Sequence, residues 1–318
     1  MRSLAELGYT READGFRRFI ERSCAGSADE LQILFGVGGE RRLHEYEIRE
    51  LEGYRGAHPV RIGNAAESQL QLDVYGELLD LAWSWHHRGQ CPDEDYWEFL
   101  IELVEAATKE WRRADQGIWE MRGEPRHFVF SKAMCCVAIE QGMRLARELK
   151  HDAPLDDWRK ICVEIRAAIE EKGYDAERGV FIQAFDRPVM DASLLLLPLY
   201  GFIDGRDERM VRTVEAIRCD LGEDGLLRRY RADGMDGEEG VFLPCSFWLA
   251  ECLAQQGRIE DAREVFRRAA STANDLGLFS EEYDTRNNEM LGNFPQGLTH
   301  LSLIAAAVTL ERSSKNIR

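Results

Sequence analysis

The chain has 318 residues, 44% hydrophobic and 31% charged, a balance that suits a folded protein with a substantial core and excludes extended disorder. Its 58 acidic against 41 basic residues give a formal charge of -17, a field that repels phosphate and argues against a nucleic-acid partner. The opening MRSLAELGYTREADGF lacks the apolar run and small-residue cleavage site of a signal peptide, and no stretch approaches 18 apolar residues, so the reading is a cytoplasmic chain with no membrane partner.

Taken in chain order, the periodic segments are nearly all helical. A stub at 2–7 ends at Gly8, and TREADGFRRFIERSC follows over 10–24 with Thr10 read as its cap and Glu12 as part of a capping box. The segment 66–87 keeps apolar residues at 70, 74, 78, 79 and 82, a 3.6-residue period. Further helices are predicted over 93–112, 131–149, 154–172, 190–200, 207–219, 242–256, 258–275 and 296–311, which makes eleven. Strand signals are scarce, the best being RGVFIQAF at 178–185. The class is therefore all-α. Paired helices with alternating long and short connections read as a closed ring of hairpins in a single domain over 1–318, while an open helical scaffold, lacking any repeated consensus, is the alternative.

The long connections are 25–64, 113–130, 173–190, 220–241 and 276–295, and loops of that length in a compact protein usually bind something. In QGIWEMRGEPRHF, Trp119 stands beside Glu120, with Arg122, Arg126 and His127 near. A carboxyl packed on an indole loses water and keeps its proton, as a general acid requires; alternatively Trp119 packs in the core and Glu120 faces solvent or pairs with Arg122. In GLFSEEYDTRNNEMLGNFPQGLTH, Glu281 and Glu282 are adjacent and must point different ways, so at most one can share a pocket with Glu120. Two carboxylates about 6.5–9.5 Å apart leave room for the water of an inverting glycosidase; a shorter gap means retention.

Arg61, Asn64, Gln69 and Asp73 sit where a loop enters a helix, with Gln69 and Asp73 read as i,i+4 neighbours, and Arg229, Tyr230 and Asp236 lie in another long loop. Trp and Tyr faces with Arg, Asp, Asn and Gln donors and acceptors suit an uncharged, hydroxyl-rich ligand, although any one of them could serve only its own loop. The seven histidines include no metal-binding pair spacing, and Cys135, Cys136, Cys245 and Cys252 read as core, so no metal and no organic cofactor is expected. FGVGGERR lacks the spacing and lysine of a phosphate loop, and no serine motif resembles a nucleophile elbow.

The segments PVRIGNAAESQLQLDVYGELLD, DQGIWEMRGEPRHFVFSKAMCCVAIEQG, DASLLLLPLYGF, EEGVFLPCSFWLAECLAQQGRIEDA and GLFSEEYDTRNNEMLGNFPQGLTHLSLI, in that order, resemble bacterial members of glycoside hydrolase family 15 across nearly the whole chain. The resemblance implies an (α/α)6 toroid of the six-hairpin glycosidase kind and inverting hydrolysis of α-glucosidic bonds, with trehalose or short α-glucans as the small neutral substrate. It assigns Glu120 as general acid, Glu281 as general base and Arg229 as a sugar-hydroxyl contact. Trp119 borders the same subsite, with Arg61, Asn64, Asp73, Tyr230, Arg126 and His127 grouped as substrate-binding. The family's Trp-x-Arg-Asp segment and its amino-terminal β-sandwich domain have no counterpart in these residues. The ring is therefore expected to be incomplete at its first helix, the chain to be a fragment or wrongly started product, and the open face to be covered by another copy or by the absent segment. A weakly active or inactive carbohydrate-binding remnant is the second functional reading.

Overall fold

The computed structural model describes residues 2–24, 26–28, 31–231 and 239–315, so Asp236 lies outside the described residues. Eleven α-helices run along them: α1 (Arg2–Glu6), α2 (Thr10–Ser23), α3 (Asp73–His86), α4 (Glu94–Glu110), α5 (Val129–Leu149), α6 (Leu155–Lys172), α7 (Leu196–Leu199), α8 (Glu208–Leu221), α9 (Leu243–Gln255), α10 (Ile259–Ala270) and α11 (Gly297–Lys315). They alternate between an inner and an outer layer. The inner circuit passes from α3 to α5, on through a 3-10 turn at Ala192–Leu195 and α7 to α9 and α11, and returns to α3 through α1, where Ser3 Oγ donates to Leu301 O at 2.9 Å.

Sequence sorts the helices between the layers. α10 buries Ile259, Ala262, Val265 and Ala269 and turns charge outward, and α8 does the same with Met210, Val214, Ile217 and Leu221: one apolar stripe, as an outer helix needs. α9, by contrast, is buried from Leu243 to Ala254, because it has neighbours on both sides and an outer helix behind it. Nine strands of two or three residues stiffen the connections. β1 (Tyr46–Glu47) pairs with β2 (Arg61–Ile62), β3 (Tyr174–Asp175) with β4 (Val180–Phe181), and β5 (Gly222–Glu223) with β6 (Leu226–Leu227). A three-stranded sheet joins β7 (Val241–Phe242), β8 (Glu282–Asp284) and β9 (Glu289–Leu291).

Two local expectations fail, each for a physical reason. Thr10 is the first helical residue of α2, not its cap; Tyr9 holds the cap position without a side-chain bond, and Glu12, only two residues after Thr10, is one short of the spacing a Thr10 capping box needs. The helix expected from residue 66 begins only at Asp73. Before it the backbone N–H groups are claimed by side chains: Ala66 N by Asn64 Oδ1 at 2.9 Å, Leu70 N by Gln116 Oε1 at 3.0 Å and Leu72 N by Asp115 Oδ2 at 3.3 Å. Gln69 and Asp73 are thus not neighbours on one helix face.

The closest inner-layer contact is α3 on α5. A Cβ at Gly76 would stand 2.5 Å from Met134 O on the facing backbone, which has no side-chain freedom to yield. Gly76→Ala is expected to lower unfolding stability by about 1–3 kcal/mol, read as a lower denaturant midpoint with an unchanged slope.

Candidate active site

The connection 113–130 is closed into a tight loop by two backbone bonds, Asp115 N to Arg126 O at 2.9 Å and Arg126 N to Asp115 O at 2.8 Å. Beneath it the Asp115 carboxylate is fully buried, accepts from Leu72 N and Gly117 N, and faces Lys132 Nζ at 3.9 Å. Burial pushes the Asp115 carboxyl up and the Lys132 ammonium down, while their mutual attraction opposes both shifts. Gly117 turns the chain at φ +67, and a Cβ there would meet the Phe128 ring at 2.8 Å.

The chain then places Trp119 and Glu120 on opposite errands. The indole packs on Tyr230, Phe242 and Trp248 with ring centroids 6.2, 5.5 and 6.0 Å away, and its Nε1 donates to Asp191 at 2.9 and 3.1 Å. Glu120 adopts φ +53, a left-handed conformation that a glutamate adopts only at some strain. Half-buried, it accepts from Asn64 Nδ2 at 3.1 Å, and the Gln69 amide donates to the backbone carbonyls of Glu120 (3.4 Å) and Met121 (3.1 Å) on either side of the turn. Arg122 pairs with Glu45 at 2.8 Å.

Asp191 joins three connections. Besides the indole it accepts from Gln183 Nε2 and Ser193 N, each at 2.7 Å, and an isolated bridge ties it to Tyr230, with Ala192 N donating to Arg229 O at 2.8 Å. Burial raises its pKa and these donors pull it back. Arg229, in turn, lies over the Tyr230 and Phe242 rings and between two carboxylates: Glu239 at 2.5 Å and Glu282 at 3.7 Å.

The start of β8 brings the second pair of glutamates to this point, Glu281 just before the strand and Glu282 as its first residue. Phe242, which the Trp119 ring meets edge-on, is the register partner of Glu282, and Leu243 N donates to Glu281 O at 3.1 Å. The two carboxylate-bearing connections therefore converge on Phe242. Glu281 and Glu282 diverge as the alternation of an extended backbone requires. Oε2 of Glu281 accepts from Asn293 N at 3.0 Å and Asn293 Nδ2 at 3.1 Å, while Glu282 turns to Arg229 and Gly240 N. Burial, with Glu239 and Glu281 adding repulsion, pushes Glu282 up to about 7 against the pull of Arg229.

Of the residues singled out in the sequence, Glu120 meets Asn64, and Trp119, Arg229 and Tyr230 cluster around Phe242 beside the Glu281 backbone. Arg61 is an exposed partner of Glu45 at 3.3 Å. Arg126 pairs with exposed Asp186, and half-buried His127 stacks on Phe185 at 5.7 Å, its pKa lowered by burial. Asp73 lies in the interior beside Asp115, its carboxyl pushed well up by burial and by the neighbouring carboxylates. Sequence reasoning passed over Asp191, Gln183, Glu239 and Asn293. Asp191 alone carried a signal, an Asp directly before Ala-Ser, where a helical turn needs a cap, and its side chain does cap the 3-10 turn.

The ring of helical hairpins with its loops gathered over one polar, aromatic-lined centre is the (α/α)6 toroid of the six-hairpin glycosidases. Solved structures share it: a glycosidase in complex with glucose superposes with TM-score 0.74 at 17% identity over 98% of this chain and 85% of that one, and a glucoamylase from Saccharomycopsis fibuligera with TM-score 0.63 at 10% identity over 77% and 70%. The profile of Glycosyl hydrolases family 15 matches residues 1–308, and the chain belongs to that family. Among curated relatives, a trehalase of Mycobacterium tuberculosis is 44% identical over 98% of this chain and 47% of its own length, and a trehalase of Thermoplasma acidophilum is 38% identical over 98% and 54%. The chain thus spans about half the length of the curated relatives it matches. No helix among the described residues is long and apolar enough to cross a membrane.

The raised Glu282 pKa makes a stability prediction. The folded chain holds this proton more tightly than the unfolded chain does, so stability falls as pH rises from the ordinary value of 4.5 towards about 7. Glu282→Gln removes that titration. Its unfolding free energy relative to wild type is expected to improve between pH 4.5 and pH 8 by up to about 3 kcal/mol, as urea denaturation at the two pH values would show; parallel curves would refute the assignment.

Proposed function

We propose that the protein is an inverting glycoside hydrolase that cleaves the α-glucosidic bond of trehalose or of short α-glucans and releases β-D-glucose. Glu120 acts as general acid on the glycosidic oxygen and Glu281 as general base on the attacking water. The observation that carries this reading is the convergence of both carboxylate-bearing connections on Phe242, through the Trp119 ring on one side and the β7–β8 pairing on the other.

Each proposed catalytic group has a positioning partner. Asn64 donates to one oxygen of Glu120, which fixes the carboxyl's rotation and leaves the other oxygen for the leaving group. Asn293 grips Oε2 of Glu281 with two donors, which leaves Oε1 for the water. Arg229 and Tyr230 stand on the wall between them as hydrogen-bonding groups for sugar hydroxyls, and the polar pairs of Arg61, Arg126 and His127 rim the same connections. The acid–base scheme draws on no metal and no organic cofactor. A neutral disaccharide also suits a chain of charge -17, whose field would repel a phosphorylated or acidic sugar. The names of the 44% and 38% identical relatives favour trehalose over longer glucans. We read residues 1–318 as one catalytic unit.

The test is glucose release from trehalose, maltose and isomaltose, with NMR of the first anomer formed. Wild type is expected to give β-glucose, and Glu120→Gln and Glu281→Gln each to lower kcat by about 10²–10⁴-fold while remaining folded. First release of α-glucose would exclude inversion, and full activity in either variant would remove that residue from the mechanism.

A further inference from the structure

Away from this centre, α5 and α6 bring two thiols and a carboxylate together. Cys136 and Glu140 are i,i+4 neighbours on one face of α5, with Cys136 Sγ 3.6 Å from Glu140 Oε1. Cys162 of α6 reaches across the helix interface, its Sγ 3.6 Å from Cys136 O, and neither cysteine is in a disulfide. One ligand atom from each of the three residues falls within 4.8 Å of the others. The thiols are buried, whereas Glu140 is half-buried and its side chain lies 24% exposed, so the cluster is open to solvent on the carboxylate side.

From this geometry we propose that Cys136, Cys162 and Glu140 bind a thiophilic divalent cation of the zinc class between α5 and α6, with water as the fourth ligand. The donor set decides the class. Two sulfurs and one oxygen suit zinc, cobalt or cadmium and disfavour magnesium and calcium, which want oxygen alone. The dimensions fit: a tetrahedral site with Zn–S of about 2.3 Å and Zn–O of about 2.1 Å sets its ligand atoms ~3.5–3.8 Å apart, which the Cys136–Glu140 pair already meets. The carboxylate also has a partner that orients it. Arg166 donates to Glu140 Oε1 through Nη2 at 2.8 Å and Nε at 3.3 Å, which orients that oxygen, the one facing Cys136 Sγ, toward the thiols, and its own Nη1 is anchored on Phe202 O at 2.9 Å. Two thiolates, a carboxylate, a dication and this guanidinium sum to zero charge, so the occupied site need not bury a net charge. Binding releases the two thiol protons, and affinity therefore falls as pH falls.

The test is titration of the reduced, chelator-treated full chain with Co²⁺, read by sulfur-to-cobalt charge-transfer absorption, followed by competition with Zn²⁺. One equivalent of Co²⁺ with the sulfur band, displaced by Zn²⁺, is expected, and Cys91→Ser/Cys219→Ser, which removes the two exposed thiols, should behave identically. Cys136→Ser and Cys162→Ser should each lose the site, and Glu140→Gln should weaken it by at least the roughly 10- to 100-fold that loss of an outer-shell partner costs. Circular dichroism establishes that each variant is folded, and should Cys136→Ser not fold, Cys162→Ala carries the comparison. Absence of the sulfur band in wild type, an unchanged titration in the folded cysteine variants, or a Cys136–Cys162 disulfide found by non-reducing peptide mass spectrometry would overturn the proposal.

Discussion

The hydrogen bonds that converge on the buried Asp191 carboxylate hold the loop-bearing end of the ring together. Its donors come from two connections and its own turn: the Trp119 indole from the first, Gln183 from the second and Ser193 from the 3-10 turn that Asp191 caps. A carboxylate with no solvent access is tolerable only when its lone pairs are taken, and here three donors take them. The indole could not sit on Tyr230, Phe242 and Trp248 without a polar partner at its Nε1 end, so the same carboxylate orients the aromatic cluster. Glu120 follows directly. With the residue before it clamped, and Gln69 holding the carbonyls of the turn, its backbone is held in the left-handed conformation, and its carboxylate is delivered to Asn64.

On the far wall a one-residue step in sequence separates two electrostatic environments. Alternation of the extended backbone entering β8 sends Glu281 to the amide donors of Asn293 and Glu282 to the Arg229 guanidinium. Arg229 is already satisfied by Glu239 at 2.5 Å, so Glu282 finds only half a partner while it loses water to Phe242 and Tyr283. Burial first, and then repulsion from Glu239 and Glu281, push its carboxyl up to about 7 against the pull of Arg229. The arrangement keeps full negative charge off the immediate neighbour of Glu281 and so lessens repulsion between the two adjacent carboxyls.

Periodicity revealed the helices because outer helices such as α4 and α10 bury one stripe and the buried α5 and α9 are long enough to be seen by length and apolarity. It misread residues 66–72, where the apolar spacing continues but side chains 46 and 43 residues away in sequence take the backbone donors. The glutamates of the candidate site could be picked out in the sequence because glycine, tryptophan and paired carboxylates mark their loops. Their partners could not: Asp191, Gln183 and Asn293 acquire meaning only from donors and acceptors brought together by the ring. The Cys136–Glu140–Cys162 cluster was hidden for the same reason, since its sulfurs lie 26 residues apart on different helices and match no linear spacing.

α5 shows that core and site are one mechanical system. Its first turn supplies Lys132, which neutralises Asp115 under the Glu120 loop; Met134, two residues on, meets the backbone of α3 at Gly76; Cys136 and Glu140 then face α6. A helix offers such precision because its hydrogen-bonded backbone moves as a unit, and the bonded loop above it is rooted in that helix through Asp115 and Lys132. A shift of α5 by a fraction of an ångström would be felt at Gly76 as overpacking and at Asp115 as a stretched buried ion pair. Both penalties are steep in a close-packed, low-dielectric interior. The position of Glu120 is thus set by the bonds of its own connection together with the packing of α3 against α5 and the Lys132–Asp115 pair that roots the loop in that helix.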